Sequence, residues 1–424
     1  MLSLPVLTTF LAFLVPRGVF GLEGWTHGWD TALASQFIDF GYQPLSQAQA
    51  IDVASHYGIV SLEKCSGGAD KTGTEAAIWA SAALLKAAKP SIKVMFYLAT
   101  DLGGLQCYRA LETYRAHPEW WLRDDAGALV NNSKDSSGDG IPLPDYTVPA
   151  ARAWWASIPL NGTTGGGGGG VAALIDGVLA DGTGDPCLRL GADISPARCA
   201  ALAAGKAAMV EEMQGIFTAA NGGVVMQNGV DMYPGNEQNN LPWLAHSNGF
   251  QAEHFAVFES VLPSGKLNVT RVEEFFDVIA AAAATGKLVV VSTWPGLCTT
   301  PFTPQGYPSW PNNTQPTSND GWRAALLAKH TFALAGFLIM AEENVWMAYE
   351  GWYNGFTQGA VSCPDAPSTC AAPSPWYPDL GAPLGPPQGR ASRVKGTNLW
   401  TRAFAHANVT LNLDDPDASF INWL

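Results

Sequence analysis

The stretch Asp176-Gly177-Val178-Leu179-Ala180-Asp181-Gly182 decides how the chain is read. Apolar Val171-Ala172-Ala173-Leu174-Ile175 precedes it, and the breakers Thr183-Gly184-Asp185-Pro186 follow. A short apolar run bounded by breakers predicts a strand buried on both faces. Asp181 falls at its end, immediately before a glycine. In a parallel barrel that end opens on the active site. A carboxylate there is either a catalytic or substrate-binding group or a loop cap, and the ends of the other strands must decide.

Working outward, the same strand-then-helix rhythm recurs. Strands are predicted at residues 36–41, 58–63 and 92–100 before the opening stretch, and at 223–228, 249–253, 288–293 and 335–341 after it. Helices are predicted at 46–56, 74–88, around 150–155, at 196–220 and at 272–284. Eight strands alternating with helices predict an α/β fold, a (β/α)8 TIM-like barrel. The alternative is an open doubly wound sheet, which would usually carry a Gly-rich nucleotide turn after its first strand, and none is present. The six-glycine run at 165–170 has no following GK[ST] and predicts a surface insertion rather than a phosphate cradle. Residues 398–413 alternate weakly and predict a small antiparallel β appendage. The expected organisation is a signal peptide at 1–21, the barrel at 22–350, a Pro-rich linker at 351–390 and the appendage at 391–424.

Composition narrows the partners. A net charge of −14 argues against nucleic acid, which needs a basic stripe. Residues 2–15 are apolar but too short to span a bilayer as a mature helix, and Val19-Phe20-Gly21 offers small residues for cleavage. Secretion without membrane attachment is expected. Acceptor sites of the N-x-Ser/Thr type at Asn131, Asn161, Asn268, Asn312 and Asn408 fit that compartment. So do the seven cysteines, for which Cys187–Cys199, Cys363–Cys370 and Cys65–Cys107 are the expected pairs, leaving Cys298. The 16 tryptophans suit sugar rings as well as core filling.

The predicted strand ends carry Asp39, Glu63, Asp101, Asp181, Asn228 with Asp231, Glu253, Trp294, and Glu342 with Glu343. Acids dominate and cations are nearly absent, which disfavours phosphorylated substrates. Of seven histidines only His254 adjoins a strand end, so neither a metal nor a cofactor is expected. His254 is more simply a packing residue than a group that orients Glu253. An acidic rim with aromatic rings suits a neutral, hydroxyl-rich substrate. A pair of carboxylates can break a glycosidic bond, one as acid and the other as nucleophile or base.

Elimination then places the pair. One large group of barrel glycosidases puts its acid on strand 4 and its nucleophile on strand 7, but strand 7 here ends Ser292-Thr293-Trp294. A chitinase-like pattern crowds three acids on strand 4, which Asp176 and Asp181 do not supply. The pairing of strand 4 with strand 6, as in α-galactosidase-like barrels, is left, and it selects Asp181 as nucleophile and Glu253 as acid/base. Asp176 lies at the opposite end of its strand and is expected to be structural. Glu259 rivals Glu253 if strand 6 is Phe255-Ala256-Val257-Phe258. Glu253 must start protonated, and Phe250 and Phe255 flank it as an apolar wall if strand alternation allows. Glu63, Asp101, Asn228, Asp231, Glu342 and Trp294, the last as a sugar platform, are expected to bind substrate.

The segments DGVLADG, QAEHF, DYTVPAARAWW and PLGPPQG with WTRAFAHANVTLNL resemble a glycosyl-hydrolase-like family of (β/α)8 proteins, and the resemblance covers most of the mature chain. It implies glycoside hydrolysis but not a substrate; an oligo- or polysaccharide is the expected partner. The alternative is a non-catalytic carbohydrate-binding barrel whose acids only hold hydroxyls. A lyase or transferase would use the same rim.

Overall fold

A computed structural model of the chain describes residues 24–26, 28–32, 34–38, 44–62, 73–101, 108–131, 141–160, 174–184, 187, 194–228, 241–253, 255–256, 260–262, 264, 266–293, 319–349 and 377–424. Eight parallel strands form a closed barrel: β1 (Ala34–Ile38), β2 (Ile59–Leu62), β3 (Lys93–Ala99), β4 (Gly177–Asp181), β5 (Val224–Asn228), β6 (Gly249–Ala252), β7 (Leu288–Thr293) and β8 (Val345–Tyr349). Closure is made by β1 against β8, with Ala34 opposite Met347. The helices are α1 (Gln47–His56), α2 (Thr74–Ala88), α3 (Ala110–Arg115), α4 (Pro149–Ser157), α5 (Pro196–Asn221), α6 (Val269–Ala284) and α7 (Asn319–Met340). Among the described residues no helix is long and apolar enough to cross a membrane.

Strand alternation sorts the core into two layers. Met95, Tyr97 and Ala99 of β3, Leu179 of β4, Val224 and Met226 of β5, Val290 of β7 and Trp346 of β8 pack together inside the barrel. Residues of opposite parity, such as Phe96, Val178, Val225, Phe250 and Val289, join the layer between sheet and helices. Trp25 closes the amino-terminal end. It is fully buried in the inner layer, and its carbonyl accepts from Trp346 Nε1 at 2.9 Å. Asp176 belongs to the same end. Its carboxylate pairs with Lys86 at 2.6 Å and Lys93 at 3.8 Å and accepts from the Val94 amide at 2.8 Å. This is the structural role the sequence predicts for it.

The last barrel strand corrects the sequence reading. Residues 335–340 are the buried end of α7, Ala341 follows it, and β8 is Val345–Tyr349. A continuous apolar run is compatible with a buried helix and with a buried strand, and periodicity cannot separate them. Glu342 and Glu343 therefore precede β8 at the amino-terminal end, opposite the rim. The residue that follows β8 is Glu350, outside the described residues.

After β8 the chain builds an antiparallel sheet in the order β12-β11-β10-β9, from β9 (Ser392–Arg393), β10 (Leu399–Ala403), β11 (Ala407–Asn412) and β12 (Phe420–Trp423). Arg402 of β10 locks this sheet to the barrel. Its buried guanidinium donates to the carbonyls of Leu338, Ile339 and Ala341, the unsatisfied end of α7. It also reaches the half-exposed Glu342 at 3.3 Å. Arg393 pairs with Glu273 at 2.8 Å and Lys329 with Asp417 at 2.6 Å. The Cys187–Cys199 disulfide is formed, as expected. Cys65, Cys107, Cys298, Cys363 and Cys370 lie outside the described residues, as do the signal segment and the six-glycine run.

Candidate active site

Asp181 is the last residue of β4 and has the parity of Leu179, so its carboxylate faces the barrel interior at the carboxyl-terminal rim. Three donors among the described residues hold it. Gly182 N and Asn228 Nδ2 donate to Oδ1 at 2.7 and 2.9 Å, and Tyr97 OH donates to Oδ2 at 2.5 Å. Such donors favour the anion over the acid. Gly182 has φ +68°, and a Cβ there would lie 3.2 Å from the Asp101 carboxyl, so a side chain at this position would be strained and would crowd the second acid.

Below the carboxylate the backbone is fixed by a buried network. Thr100 N and Oγ1 donate to Asp181 O at 2.8 and 2.9 Å, and Oγ1 also lies 2.8 Å from Gly182 O. Lys206 of α5, 5% exposed, donates its ammonium to Gly182 O at 2.5 Å. Tyr146 OH donates to Thr100 O. The Tyr146 phenol is pushed well above its ordinary pKa by burial and by neighbouring Tyr114 and Asp101, so it stays a donor. α5 approaches this segment through Gly205, where a Cβ would meet Tyr146 O at 2.2 Å.

Asn228 ends β5 and Glu253 follows β6, so both stand on the same rim as Asp181. Asn228 pairs in register with Gln251, and Glu253 is one pleat further toward the rim. Glu253 is buried, with Oε1 accepting from Gln251 Nε2 at 3.3 Å. The apolar wall expected from Phe250 and Phe255 is not there. Alternation turns Phe250 outward, into the layer under the helices. Phe255 stacks on Phe332 of α7 at 6.1 Å and lies against Phe275 and Phe276 of α6. It serves instead as an anchor for the segment leaving β6. Its amide donates to Ser292 O at 3.2 Å, and its carbonyl accepts from Thr293 Oγ1 at 2.6 Å.

The carboxyl-terminal rim thus brings together Asp101, Asp181, Asn228 and Glu253. It does not include Glu342. Asp39, Glu63, Asp231, His254, Glu259 and Trp294 lie outside the described residues. Tyr97, Thr100, Tyr146, Lys206 and Gln251 escape a reading confined to final strand residues. Tyr97 and Gln251 were accessible through parity, since each sits an even number of residues from its strand's rim position. Lys206 was marked only as a lone cation in the apolar stretch ALAAGKAAM. No group of three or more His, Cys, Asp or Glu among the described residues suits a metal ion.

The α-amylase from H. orenii has a TM-score of 0.50 at 11% identity, covering 91% of this chain and 88% of its own. The α-amylase from Geobacillus thermoleovorans, solved with acarbose, gives 0.48 at 9% identity, covering 90% and 86%. At 11% identity the first likeness speaks to the barrel fold alone. No curated protein sequence matches the chain. The profile of hypothetical glycosyl hydrolase family 15 matches residues 86–408, more than half of the 424. With that match and an acidic barrel rim, the chain belongs to this family and is a glycoside hydrolase.

Proposed function

We propose that the protein is secreted and cleaves an O-glycosidic bond of an oligo- or polysaccharide with Asp181 as nucleophile and Glu253 as acid/base. The observation that carries this is the Asp181 carboxylate, held by three donors at the end of β4, with Glu253 on the same rim after β6. Glu253 donates its proton to the leaving oxygen as the bond to the anomeric carbon breaks. Asp181 takes that carbon as an ester. Glu253 then removes a proton from water, whose oxygen attacks the carbon and frees Asp181. Asp101 and Asn228 bind hydroxyls beside the pair. Secretion is supported by residues 1–21, the acceptor asparagines and the Cys187–Cys199 bridge. The acidic charge supports a partner that is neither nucleic acid nor membrane.

A polysaccharide panel with wild type, Asp181→Asn and Glu253→Gln tests the assignment. Asp181→Asn is expected to abolish turnover while keeping binding. Glu253→Gln is expected to hurt poor leaving groups far more than activated aryl glycosides. Near-normal rates in both variants sink the pair. Binding without cleavage by the wild type gives the carbohydrate-binding alternative. The product anomer, followed by NMR, decides between retention and inversion, for which carboxyl gaps of about 5–5.5 Å and about 6.5–9.5 Å are needed.

A further inference from the structure

The site carries an imbalance between donors and acceptors. Asn228 and Gln251 are 6% and 2% exposed, and both have the inward parity of the barrel's rim. Their amide nitrogens are committed, Asn228 Nδ2 to Asp181, and Gln251 Nε2 to Glu253 and, at 3.4 Å, to Ser292 Oγ. A nitrogen must face the Asp181 carboxylate, so Asn228 Oδ1 is forced the other way, and Gln251, whose nitrogen faces Glu253, turns its Oε1 away in the same sense. Asn228 Oδ1 and Gln251 Oε1 then have no hydrogen-bond partner among the described residues. Two buried oxygens without donors stand beside the Asp181 carboxylate and the Glu253 carboxyl group. The donors near Asp181, Tyr97 OH and Gly182 N, are spent on it. Among the described residues the hydroxyls of Ser292 on β7 and Ser61 on β2 are further inward-facing donors.

A sugar hydroxyl brings one donor but also two lone pairs that need donors of their own, and the described residues of this site have few to offer. An ammonium has three donors and no acceptor. It also gains from the adjacent Asp181 carboxylate. A hard cation such as calcium fits less well. It takes six to eight oxygens, while both Asp181 oxygens face N–H or O–H groups. We infer that the site takes an amino sugar with a free ammonium group, within an oligo- or polysaccharide of such units. The inference rests on Asp181 and Glu253 being the pair that faces substrate. The 37 acidic against 23 basic residues would also draw a polycationic chain toward the protein. N-acetylation replaces the ammonium with an amide that brings its own carbonyl acceptor, so the acetylated sugar loses the match.

Calorimetric titration of the full chain in EDTA at mildly acidic pH tests this. The probes are tetramers of glucosamine and galactosamine, their N-acetylated forms, neutral glucose and galactose tetramers, and spermine as a sugar-free polyamine. One of the amino-sugar tetramers is expected to bind at least about tenfold tighter than any acetylated, neutral or polyamine probe. Its binding should weaken with salt and fall in Gln251→Met. If Gln251→Met does not fold, the isosteric Gln251→Glu decides, with tighter amino-sugar binding expected. Equal or tighter binding of a neutral or acetylated tetramer overturns the inference, as does equal binding of spermine or no binding at all. Neutral tetramers cleaved by the wild type but not by Asp181→Asn would leave the catalytic pair standing without the ammonium. An amino sugar bound and never cleaved would do the reverse.

Discussion

Lys206 illustrates how a single side chain far along the sequence shapes the rim. An amine 5% exposed is costly to bury unless it is well hydrogen-bonded, and this one meets the Gly182 carbonyl. That carbonyl belongs to the peptide unit following the one whose N–H holds Asp181. Lys206→Met keeps the aliphatic stem and removes the ammonium. It is expected to cost roughly 1–3 kcal/mol, the range for an unsatisfied buried group or a charged hydrogen bond. Urea denaturation monitored by circular dichroism reads this, and an unchanged midpoint would show that Thr100 alone suffices. At this scale Asp181, Asn228 and Glu253 were legible, because a polar residue that closes an apolar strand stands out. The supports were not legible, because Lys206 and Tyr146 reach the site through tertiary packing that no local pattern encodes.

Among the elements, α7 governs two neighbours. Its Gly336 lies under the ring of Phe255, where an added Cβ would sit 2.3 Å from a ring carbon. Phe255 is followed by Ala256, a non-glycine residue at φ +57°. The segment after β6 is therefore held by an aromatic anchor and a left-handed residue within three positions of Glu253. Gly336→Leu is expected to displace that ring and destabilise the fold by about 1–3 kcal/mol, the usual cost of overpacking. Thermal unfolding measures it, and a melt indistinguishable from wild type would mean that the anchor is not rigid. Ala256→Gly should act in the opposite sense, since left-handed backbone costs an L-residue about 1–2 kcal/mol. The element that sequence misassigned is also here. The apolar end of α7 imitates a strand, whereas α2 and β7 carry bounds that match their predicted ranges at 74–88 and 288–293. Breakers on both sides made those ends visible, and the helix end at Met340 has none.

For the whole molecule, acid should loosen the seam where α7, β8 and the chain beyond it meet. His330 of α7 stacks on Tyr377 at 4.1 Å and lies 5.4 Å from Tyr349, and burial lowers its pKa from 6.5 to about 4. The unfolded chain then takes up this proton first as pH falls. Its contribution is fully present above pH 6.5 and is lost on descent to about pH 4, at about 1.4 kcal/mol for each tenfold difference in proton affinity between the folded and unfolded chain. Denaturation midpoints across that window should fall more steeply for the wild type than for His330→Phe, and parallel curves would exclude the histidine as the source. The barrel and its appended sheet could be foreseen because a parallel (β/α)8 rhythm and a late alternating tail are local patterns. Their joint could not, since Arg402 meets the end of α7 across more than sixty residues.

That joint sets the order of events during synthesis. The barrel closes only when β8 reaches β1, and Trp346 meets Trp25 at the same closure. The carbonyls that end α7, just ahead of β8, wait for a guanidinium that the ribosome adds sixty residues later. Until β8 emerges the first strand has one unpaired edge, and until Arg402 emerges the last helix is uncapped. The two are covered in that order, so a chaperone that shields the β1 edge has its substrate until β8 emerges.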